Sequence, residues 1–306
     1  MGRFGLFILL CAAGFLPVGC GSQSPSTPSG GSSAGFTYPF SFTFGDTGSG
    51  SNGTFNTDIP GIAVGFGAIF VTDETYAAVD KFDMYGNYLG QNVYSPGADL
   101  GGMALDKNGD LYVANSSSGL VDEYDQNLNY LQSFSGTGTF VSPFDVKVDN
   151  NLNLYVTDLG SSAVYKDSPA DLVLATSSGV PGGFNVPFQT GMGSNGSLYV
   201  ADYLNARVVV LNSSLVYTGS FDGTSAGATP FTGPSGVVVD SQGTVIVSDD
   251  SNTIQKFTTS GAYLGKITTG SAPVTYDRPF YMATDSNNLL YVANLNTNQV
   301  LIFNPN

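Results

Sequence analysis

The sequence contains no histidine and only two glutamates, Glu74 and Glu123, among its 306 residues. Without histidine, the chain by itself builds no histidine general base, no Ser-His-Asp triad and no histidine metal site. Aspartate is plentiful, but glycosidase-type chemistry needs two carboxylates that flank one bond, and no motif marks such a pair. These absences favour a non-catalytic protein over an enzyme.

Basic residues are also scarce: nine Lys and Arg against 24 Asp and Glu give a formal net charge of −15. A nucleic-acid-binding protein needs clustered Lys and Arg to displace counterions from phosphates, so we exclude nucleic acid as a partner. The same deficit disfavours attraction to an anionic membrane surface. The field of the chain favours cations, basic proteins or neutral partners.

The N-terminal stretch MGRFGLFILLCAAGFLPVGC indicates an export signal. Arg3 precedes an apolar run over residues 4–18, which is too short to span a bilayer and typical of a signal-peptide core. Its end, Val18-Gly19-Cys20, resembles a bacterial lipoprotein signal, although Pro17 stands where such signals usually have Leu. The resemblance implies a signal peptide over residues 1–19 and lipidation of Cys20. The alternative is an ordinary signal peptide cut near the same point.

Residues 20–35 continue as CGSQSPSTPSGGSSAG, without charge or a large apolar side chain. Such a segment buries too little apolar surface to fold, so we predict a flexible tether. Cys11 would leave with the signal and Cys20 would be acylated, which leaves no thiol for a disulfide. We expect a protein lipid-anchored in a bacterial cell envelope (at the outer membrane of a Gram-negative cell, since Gly21 is not Asp) or secreted.

Charged residues make up only 11% of the chain, whereas Gly, Phe and Tyr number 40, 21 and 17. This composition predicts an all-β fold with many turns. A five-residue motif of the LYVAD type recurs at intervals of 42 to 47 residues. A period of about 40–50 residues built from short strands is typical of a β-propeller. The copies begin at Ile69, Leu111, Leu154, Leu198, Val245 and Leu290.

Each repeat is predicted to form four antiparallel strands. An inner strand such as FDVKVD (144–149) leads through a tight Asp/Asn/Gly turn into the recurring motif, the second strand. In the fourth repeat, RVVVLN (207–212) and YTGSF (217–221) are the third and fourth strands. The first two strands are apolar on both faces, as expected of a blade covered by a neighbour on either side.

The sixth repeat has only three strands, and the first repeat is preceded by the strand-like FTYPFSFTFG, residues 36–45. We predict that residues 36–45 supply the fourth strand of blade six and close the ring, which leaves no open edge. Residues 36–306 then form a six-bladed β-propeller.

The repeat unit Pro-x-Gly-Val-x-Val-Asp-x-x-Gly-x-Leu-Tyr-Val-Ala-Asp-x-x-Asn-x-Arg-Val resembles the NHL repeat. It is clearest over residues 234–247 and 198–208, and only the latter copy keeps the full Asn-x-Arg. The resemblance covers residues 36–306 and implies an NHL-like six-bladed propeller. It implies little about activity, because propellers carry many functions.

Two acidic patterns are candidate metal sites. Asp106, Asn108 and Asp110 look like half a calcium loop, which makes a structural Ca²⁺ conceivable, but a hairpin turn is the favoured interpretation because such turns recur in other blades. An Asp or Asn also ends each second strand. We favour a local acceptor for free N–H groups of the following turn, with Asp202 also pairing with Arg207. We therefore assign no cofactor.

Residues that enter the inner strands are the candidate ligand-binding site. Long Gly/Pro-rich loops precede these strands on one face of the ring, and loops on a rigid scaffold are common binding positions. Aromatic side chains there could stack on a sugar or grip a peptide; alternatively the phenylalanines only plug the loops against the core. The candidates are Phe144, Asp145, Phe188, Gln189, Arg278, Phe280 and Tyr281.

We expect a non-catalytic binding or scaffold module for a protein or glycan of the envelope or the extracellular space, of unassigned oligomeric state. The alternative is a hydrolase or lyase that uses Asp and a divalent cation in the propeller channel. Related propellers include gluconolactonase-like enzymes, which hold a metal with Glu, Asn and Asp. Neither Glu of this chain lies on a predicted inner strand, so that match fails. A third possibility is an assembly subunit of a surface structure.

Overall fold

Six four-stranded antiparallel sheets form the folded chain in a computed structural model that describes residues 40–44, 59–74, 76–94, 97–269 and 275–304. The sheets are the blades of a six-bladed β-propeller, so the predicted fold is confirmed. The predicted signal peptide (1–19) and the stretch from Cys20 to residue 35 lie outside the described residues. In the segments that are described, no helix has the length and apolarity needed to cross a membrane.

The strands of the first three blades follow the chain order from the inside of the ring outwards, after an initial strand β1, Phe40–Phe44. Blade one comprises β2 Ile62–Gly65, β3 Ala68–Asp73, β4 Ala78–Asp83 and β5 Tyr88–Val93. Blade two comprises β6 Leu100–Leu105, β7 Leu111–Asn115, β8 Leu120–Tyr124 and β9 Tyr130–Phe134. Blade three comprises β10 Pro143–Val148, β11 Leu154–Asp158, β12 Ala163–Asp167 and β13 Val173–Thr176.

The remaining blades repeat this pattern, with single 3-10 turns at Tyr203–Asn205 and Leu295–Thr297. Blade four comprises β14 Pro187–Met192, β15 Leu198–Asp202, β16 Arg207–Leu211 and β17 Tyr217–Phe221. Blade five comprises β18 Pro234–Val239, β19 Val245–Asp249, β20 Thr253–Phe257 and β21 Tyr263–Ile267. Blade six comprises β22 Pro279–Thr284, β23 Leu290–Asn294 and β24 Gln299–Phe303, with β1 as its outer strand.

The recurring motif is buried on both faces because each blade lies between two others. Every residue of β15 is buried. Val200 belongs to an apolar cluster with Tyr155 of blade three, whereas the adjacent Tyr199 belongs to a cluster with Val237 of blade five. Successive side chains of a strand point to opposite faces. The alternation therefore fills the two blade interfaces in turn.

Inner strands begin earlier than predicted, and most of them begin at a proline. The strand predicted over 144–149 is Pro143–Val148. Proline lacks an N–H group, so it is tolerated as the first residue of a strand. In five of the six blades the register shifts directly after this first residue. Such a β-bulge re-aims the following side chains, which here are the second and third residues of the inner strand.

Pairing of β1 with β24 closes the ring, as predicted. Phe44 lies opposite Val300 and Phe40 lies opposite Phe303 in antiparallel register. The ring of Phe44 packs 4.8 Å from that of Phe82 in blade one, so the closing strand also contacts the next blade. Residues 36–39 and 45 of the predicted strand lie outside the described residues.

The acidic turn at Asp106 is a hairpin turn held by hydrogen bonds. Its Oδ1 accepts from the backbone N–H groups of Asn108 at 2.8 Å and of Asp110 at 2.9 Å. Asp149, Asp240 and Asp285 accept in the same pattern in other blades, as expected of Asx turns. Within the described ranges, no three His, Cys, Asp or Glu side chains are grouped so that they could hold a metal ion.

Aspartates at the ends of the second strands accept hydrogen bonds from two loops. Asp202 is fully buried and accepts from the N–H of Asn185 at 2.7 Å, ahead of the inner strand. It also accepts from Arg207 Nε at 2.7 Å, so the predicted ion pair is confirmed. Asp249 and Asp158 bind two consecutive N–H groups of the corresponding loop in their own blades. Each carboxylate therefore ties the loop before the inner strand to the turn after the second strand.

Candidate functional site: the propeller channel and its mouth

Three aromatic rings cover the channel at the end where the inner strands begin. Phe144, Phe188 and Phe280 are the second residues of β10, β14 and β22. The ring of Phe188 lies 4.9 Å from that of Phe144 and 5.2 Å from that of Phe280, distances typical of favourable aromatic pairs. We call these three residues the aromatic lid. Phe280 is only 6% exposed and the other two are half-buried. The solvent-accessible part of the lid therefore consists mainly of Phe144 and Phe188.

A buried layer of polar side chains lies next along the same strands. It consists of Asp145, Gln189 and Tyr281, the third residues of β10, β14 and β22, which are 0%, 0% and 1% exposed. Two residues further along β10, Lys147 reaches back to this layer. We call Asp145, Lys147, Gln189 and Tyr281 the polar plug.

Asp145 has all its acceptor capacity in use. Its Oδ2 accepts from both the N–H and the hydroxyl of Thr190, each at 2.7 Å. Its Oδ1 accepts from Lys147 Nζ at 2.9 Å and from the Tyr281 hydroxyl. A carboxylate offers about four acceptor positions, and four donors fill them. Asp145 is therefore a structural anchor of three blades.

Lys147 supplies the positive charge of the plug. Its Nζ lies 2.9 Å from the Tyr281 hydroxyl and 3.1 Å from the carbonyl oxygen of Val146, in addition to both Asp145 oxygens. Burial, and then the neighbouring Asp145 carboxylate, raise the pKa of Tyr281 well above its ordinary value. Tyr281 is consequently a neutral phenol that accepts from Lys147 and donates to Asp145.

The resemblance to gluconolactonase-like enzymes would imply a metal in the channel, and the oxygen atoms around Lys147 Nζ test whether this channel fits one. They are hard ligands of the kind that divalent cations prefer, but the ammonium group already lies among them. Glu74 and Glu123 are on neither the inner strands nor the plug. The residues present do not fit a channel metal, because the lysine charge takes the place of the cation.

Gln189 is held by backbone groups of two other blades. Its Oε1 accepts from the N–H groups of Val237 at 3.1 Å and of Met282 at 3.0 Å, and its Nε2 donates to the Met282 carbonyl at 2.5 Å. The side chain therefore links blade four to blades five and six. The sequence predicted Gln189 as a ligand-binding residue at the channel mouth, whereas the structure places its side chain fully buried and bonded to backbone groups.

Glycine at the equivalent positions of other blades makes room for these side chains. Gly102 of β6 and Gly236 of β18 occupy the third position of their strands. A Cβ atom at Gly102 would overlap both the Asp145 carboxylate and the Tyr281 hydroxyl, and one at Gly236 would overlap the carbonyl of Phe280. The plug thus depends on side chains from blades three, four and six. It also requires that blades two and five carry glycine, which has no side chain, at the equivalent position.

Arg278 stands apart from the plug, on the rim of the mouth. Its guanidinium carbon lies 5.7 Å from the centre of the Phe280 ring, and its side chain is 43% exposed, 3.9 Å from Asp250. Asp250 accepts from the Tyr203 hydroxyl at 2.5 Å, and this hydrogen bond, followed by burial, raises the pKa of Tyr203. Tyr203 in turn packs 4.9 Å from Phe188. Arg278, Asp250 and Tyr203 form what we call the rim cluster.

Sequence reasoning missed Lys147, Thr190 and two members of the rim cluster, Tyr203 and Asp250. The signal for Lys147 was present, because it lies two residues after Asp145 on the same inner strand, where an opposite charge can pair with it. Tyr203 and Asp250 follow second strands, and nothing local distinguishes them from other turn residues. They reach the mouth because the turns after the second strands lie beside the loops before the inner strands.

Comparisons with known proteins show the fold. No protein-family model matches the chain. The probable peptidyl-alpha-hydroxyglycine alpha-amidating lyase pgal-1 of Caenorhabditis elegans is 27% identical over 150 residues, which cover 38% of this chain and 43% of that protein. The match thus spans less than half of that curated relative.

Two solved structures are similar in fold. Virginiamycin B lyase from Staphylococcus aureus has a TM-score of 0.61 and 12% identity, over 83% of this chain and 97% of that one. A gluconolactonase from Xanthomonas campestris has a TM-score of 0.63 and 17% identity, over 81% of this chain and 86% of that one. At such identities the likeness is one of fold alone.

Proposed function

We propose that the chain is a non-catalytic binding propeller of NHL type, lipid-anchored through Cys20 in a bacterial envelope. Its partner would be a protein or glycan, and the binding surface would be the channel mouth, formed by the aromatic lid and the rim cluster. The mouth combines half-buried aromatic rings with an exposed cation, Arg278. Such aromatic and Arg anchors dominate many binding surfaces.

The observation that carries this proposal is that hydrogen-bond donors occupy all the acceptor positions of the Asp145 carboxylate. Asp145 is the one acidic residue of the six inner strands as the structure bounds them. A general base needs a free lone pair within reach of the substrate proton that it abstracts. Asp145 is instead fully buried, ion-paired and bonded to four donors. This arrangement favours a stabilising role for the channel over catalysis.

Capture of a partner from an envelope extract by the purified protein tests the proposal. We expect Phe188→Ala and Arg278→Ala each to reduce capture by about tenfold or more, since each removes about 1.4 kcal/mol or more of binding free energy. Leu131→Ala and Leu264→Ala, on exposed outer strands, are matched controls that should retain capture. The proposal fails if both mouth variants bind as the wild type does while their circular dichroism is unchanged.

A second candidate function is a hydrolase or lyase, and the names of the similar proteins favour it. One relative is named a probable amidating lyase, and the two structural neighbours are a lyase and a gluconolactonase. Turnover of a peptidyl-α-hydroxyglycine, virginiamycin B or gluconolactone is the test. Turnover that Asp145→Asn abolishes, and that a chelator also removes, would replace the binding proposal by this one.

A further inference from the structure

Below the polar plug, the channel contains a second feature, a pocket of about 200 Å³ that the inner strands line. It lies at the opposite end of these strands from the aromatic lid. We propose that this pocket binds a small, neutral, mainly apolar molecule. The inference is independent of the binding surface proposed at the mouth.

Small residues create the space. Six residues of the inner strands lie opposite the second residue of the recurring motif, and they form one layer around the channel. Four of the six are Ala or Gly, and the long one, Lys147, turns towards Asp145 and Tyr281. The layer consists of Ala63, Ala104, Lys147, Gly191, Val238 and Ala283.

An apolar collar surrounds the entrance. The last layer of inner-strand residues lines the same pocket, and all six of its side chains are half-buried. Five of the six are apolar, so an entering ligand meets mainly apolar side chains at this end. The collar consists of Val64, Leu105, Val148, Met192, Val239 and Thr284.

The end of the pocket next to the polar plug favours a neutral ligand. Lys147 is the one charged residue that lines the pocket, and its Nζ already has four oxygen neighbours within 3.3 Å. An ammonium group has three N–H donors, so none remains for a ligand carboxylate. A charged ligand would lose water without gaining a partner, which is costly.

The volume selects for size. An engineered apolar cavity of about 150 Å³ in another protein binds benzene or xenon, whereas drug-sized ligands occupy about 300–1,000 Å³. The pocket of about 200 Å³ therefore suits a ligand slightly larger than benzene. The Thr284 hydroxyl has no hydrogen-bond partner in the described part of the chain, and at the collar it is available to one neutral polar group of the ligand.

Cyclohexanol and cyclohexanecarboxylate, alike in ring but not in charge, test the inference on the full chain by calorimetric and NMR titration. We expect saturable binding of cyclohexanol and none of the carboxylate at pH 7. Ala283→Leu adds bulk to the pocket wall and should weaken cyclohexanol binding at least tenfold. Ala170→Leu, at an exposed position, should leave it unchanged.

Thr284→Val replaces the hydroxyl with a methyl group of similar size, so it should weaken the binding of cyclohexanol but not that of benzene. Equal binding of both cyclohexane derivatives, or binding that survives Ala283→Leu, would overturn the inference. Should that variant not fold, crystals of the wild type under xenon pressure decide: xenon in the pocket supports the inference, and its absence from the pocket refutes it. Loss of partner capture at the mouth would leave each of these outcomes unchanged.

Discussion

Tyr281 of blade six donates its hydroxyl to the carboxylate of Asp145 in blade three, on the opposite wall of the channel. Lys147 donates to both residues, and Thr190 fixes the carboxylate from blade four. Neighbouring blades are already held together by apolar interfaces. The plug adds direct bonds between blades that share no interface, so its loss should loosen the ring as a whole.

Asp145→Asn should lower the free energy of unfolding by about 3 kcal/mol, because it leaves the Lys147 ammonium without its counter-charge at a largely buried site. Urea denaturation measures the change. The double variant Asp145→Asn/Lys147→Met should lose less than the sum of the two single changes. Lys166→Met, at a side chain of similar exposure whose pair with Asp149 is longer, at 3.9 Å, is the control and should cost less than Asp145→Asn. Additive losses would show that the pair contributes nothing as a pair.

Arg207→Leu should cost about 2–3 kcal/mol, because buried Asp202 loses a charge-assisted hydrogen bond. Arg207 also donates to the Gly183 carbonyl at 2.7 Å, so the loop before β14 should become more exposed to hydrogen exchange. In blade five, Thr253 begins the equivalent strand, and Thr253→Ala should stay within about 0.5 kcal/mol. Equal effects of the two substitutions would contradict this assignment.

Asp167 should make the protein more stable in mild acid. Burial, followed by the hydrogen bond with Asp171, raises the pKa of Asp167 from 3.8 to about 7. Between these values the folded state holds a proton that the unfolded state has lost, so this contribution is complete below about pH 4 and disappears as the pH rises through 7. Asp167→Asn cannot ionise, and it should raise the melting temperature at pH 8 but barely change it at pH 5.

The comparison of wild type and variant at each pH isolates Asp167. Groups whose pKa is lowered, such as Asp249, give the opposite trend but act equally on both proteins. Asp80, whose pKa burial and the nearby Asp73 charge raise to about 7, offers an independent repeat with Asp80→Asn. A pH-independent difference between wild type and Asp167→Asn would refute the assigned protonation.

Deletion of residues 40–44 should cause aggregation or a large fall in melting temperature. The deletion removes the strand paired with β24 and the packing of Phe44 on Phe82. Full burial of a Phe side chain contributes about 1.5–3 kcal/mol, so the half-buried Phe44 contributes part of that amount, and the lost strand pairing adds to it, against a typical total stability of about 5–15 kcal/mol. Deletion of the five residues 26–30, in the predicted tether, is the length-matched control. Identical melting curves for both deletions would show that closure contributes little.

Cys20→Ala should move the protein from the membrane fraction to the soluble fraction, because the proposed acyl chains provide the anchor. Ser22→Ala, two residues away, should leave the distribution unchanged. Fractionation, together with mass spectrometry of the mature N-terminus, gives the result. A wild type that is already soluble with an unmodified N-terminus would rule out the lipoprotein proposal.

The fold was predictable because short-range sequence patterns determine the strands of each blade. Consecutive apolar residues such as Tyr199 and Val200 signal a strand covered on both faces. The six copies of the recurring motif give the number of blades. Starts of the inner strands were predicted late, because the first residue of most of them lies beyond a register shift such as the one after Pro143. The shift depends on pairing with the second strand, and no local pattern of the sequence encodes it.

The position of the candidate site was predictable, but the burial and the hydrogen-bond partners of its polar residues were not. Ring symmetry brings the second and third residues of the inner strands together, so Phe144, Phe188, Asp145 and Tyr281 lie near one another as expected. Whether a polar side chain faces solvent or a partner depends on the opposite wall of the channel. The bond between Asp145 and Tyr281 joins residues far apart in the sequence, and no spacing rule announces it.

The pairing of β1 with β24 sets when the molecule can finish folding. A ribosome produces the chain from the N-terminus, so β1 is the first of the described strands to emerge and its partner β24 is the last. Blades one to five can each assemble from strands made consecutively, while β1 waits with unpaired backbone groups of the kind that recruit wrong partners. The nascent protein is therefore an open arc with one idle strand. Its exposure to misassembly ends only when residues 299–303 have been synthesised.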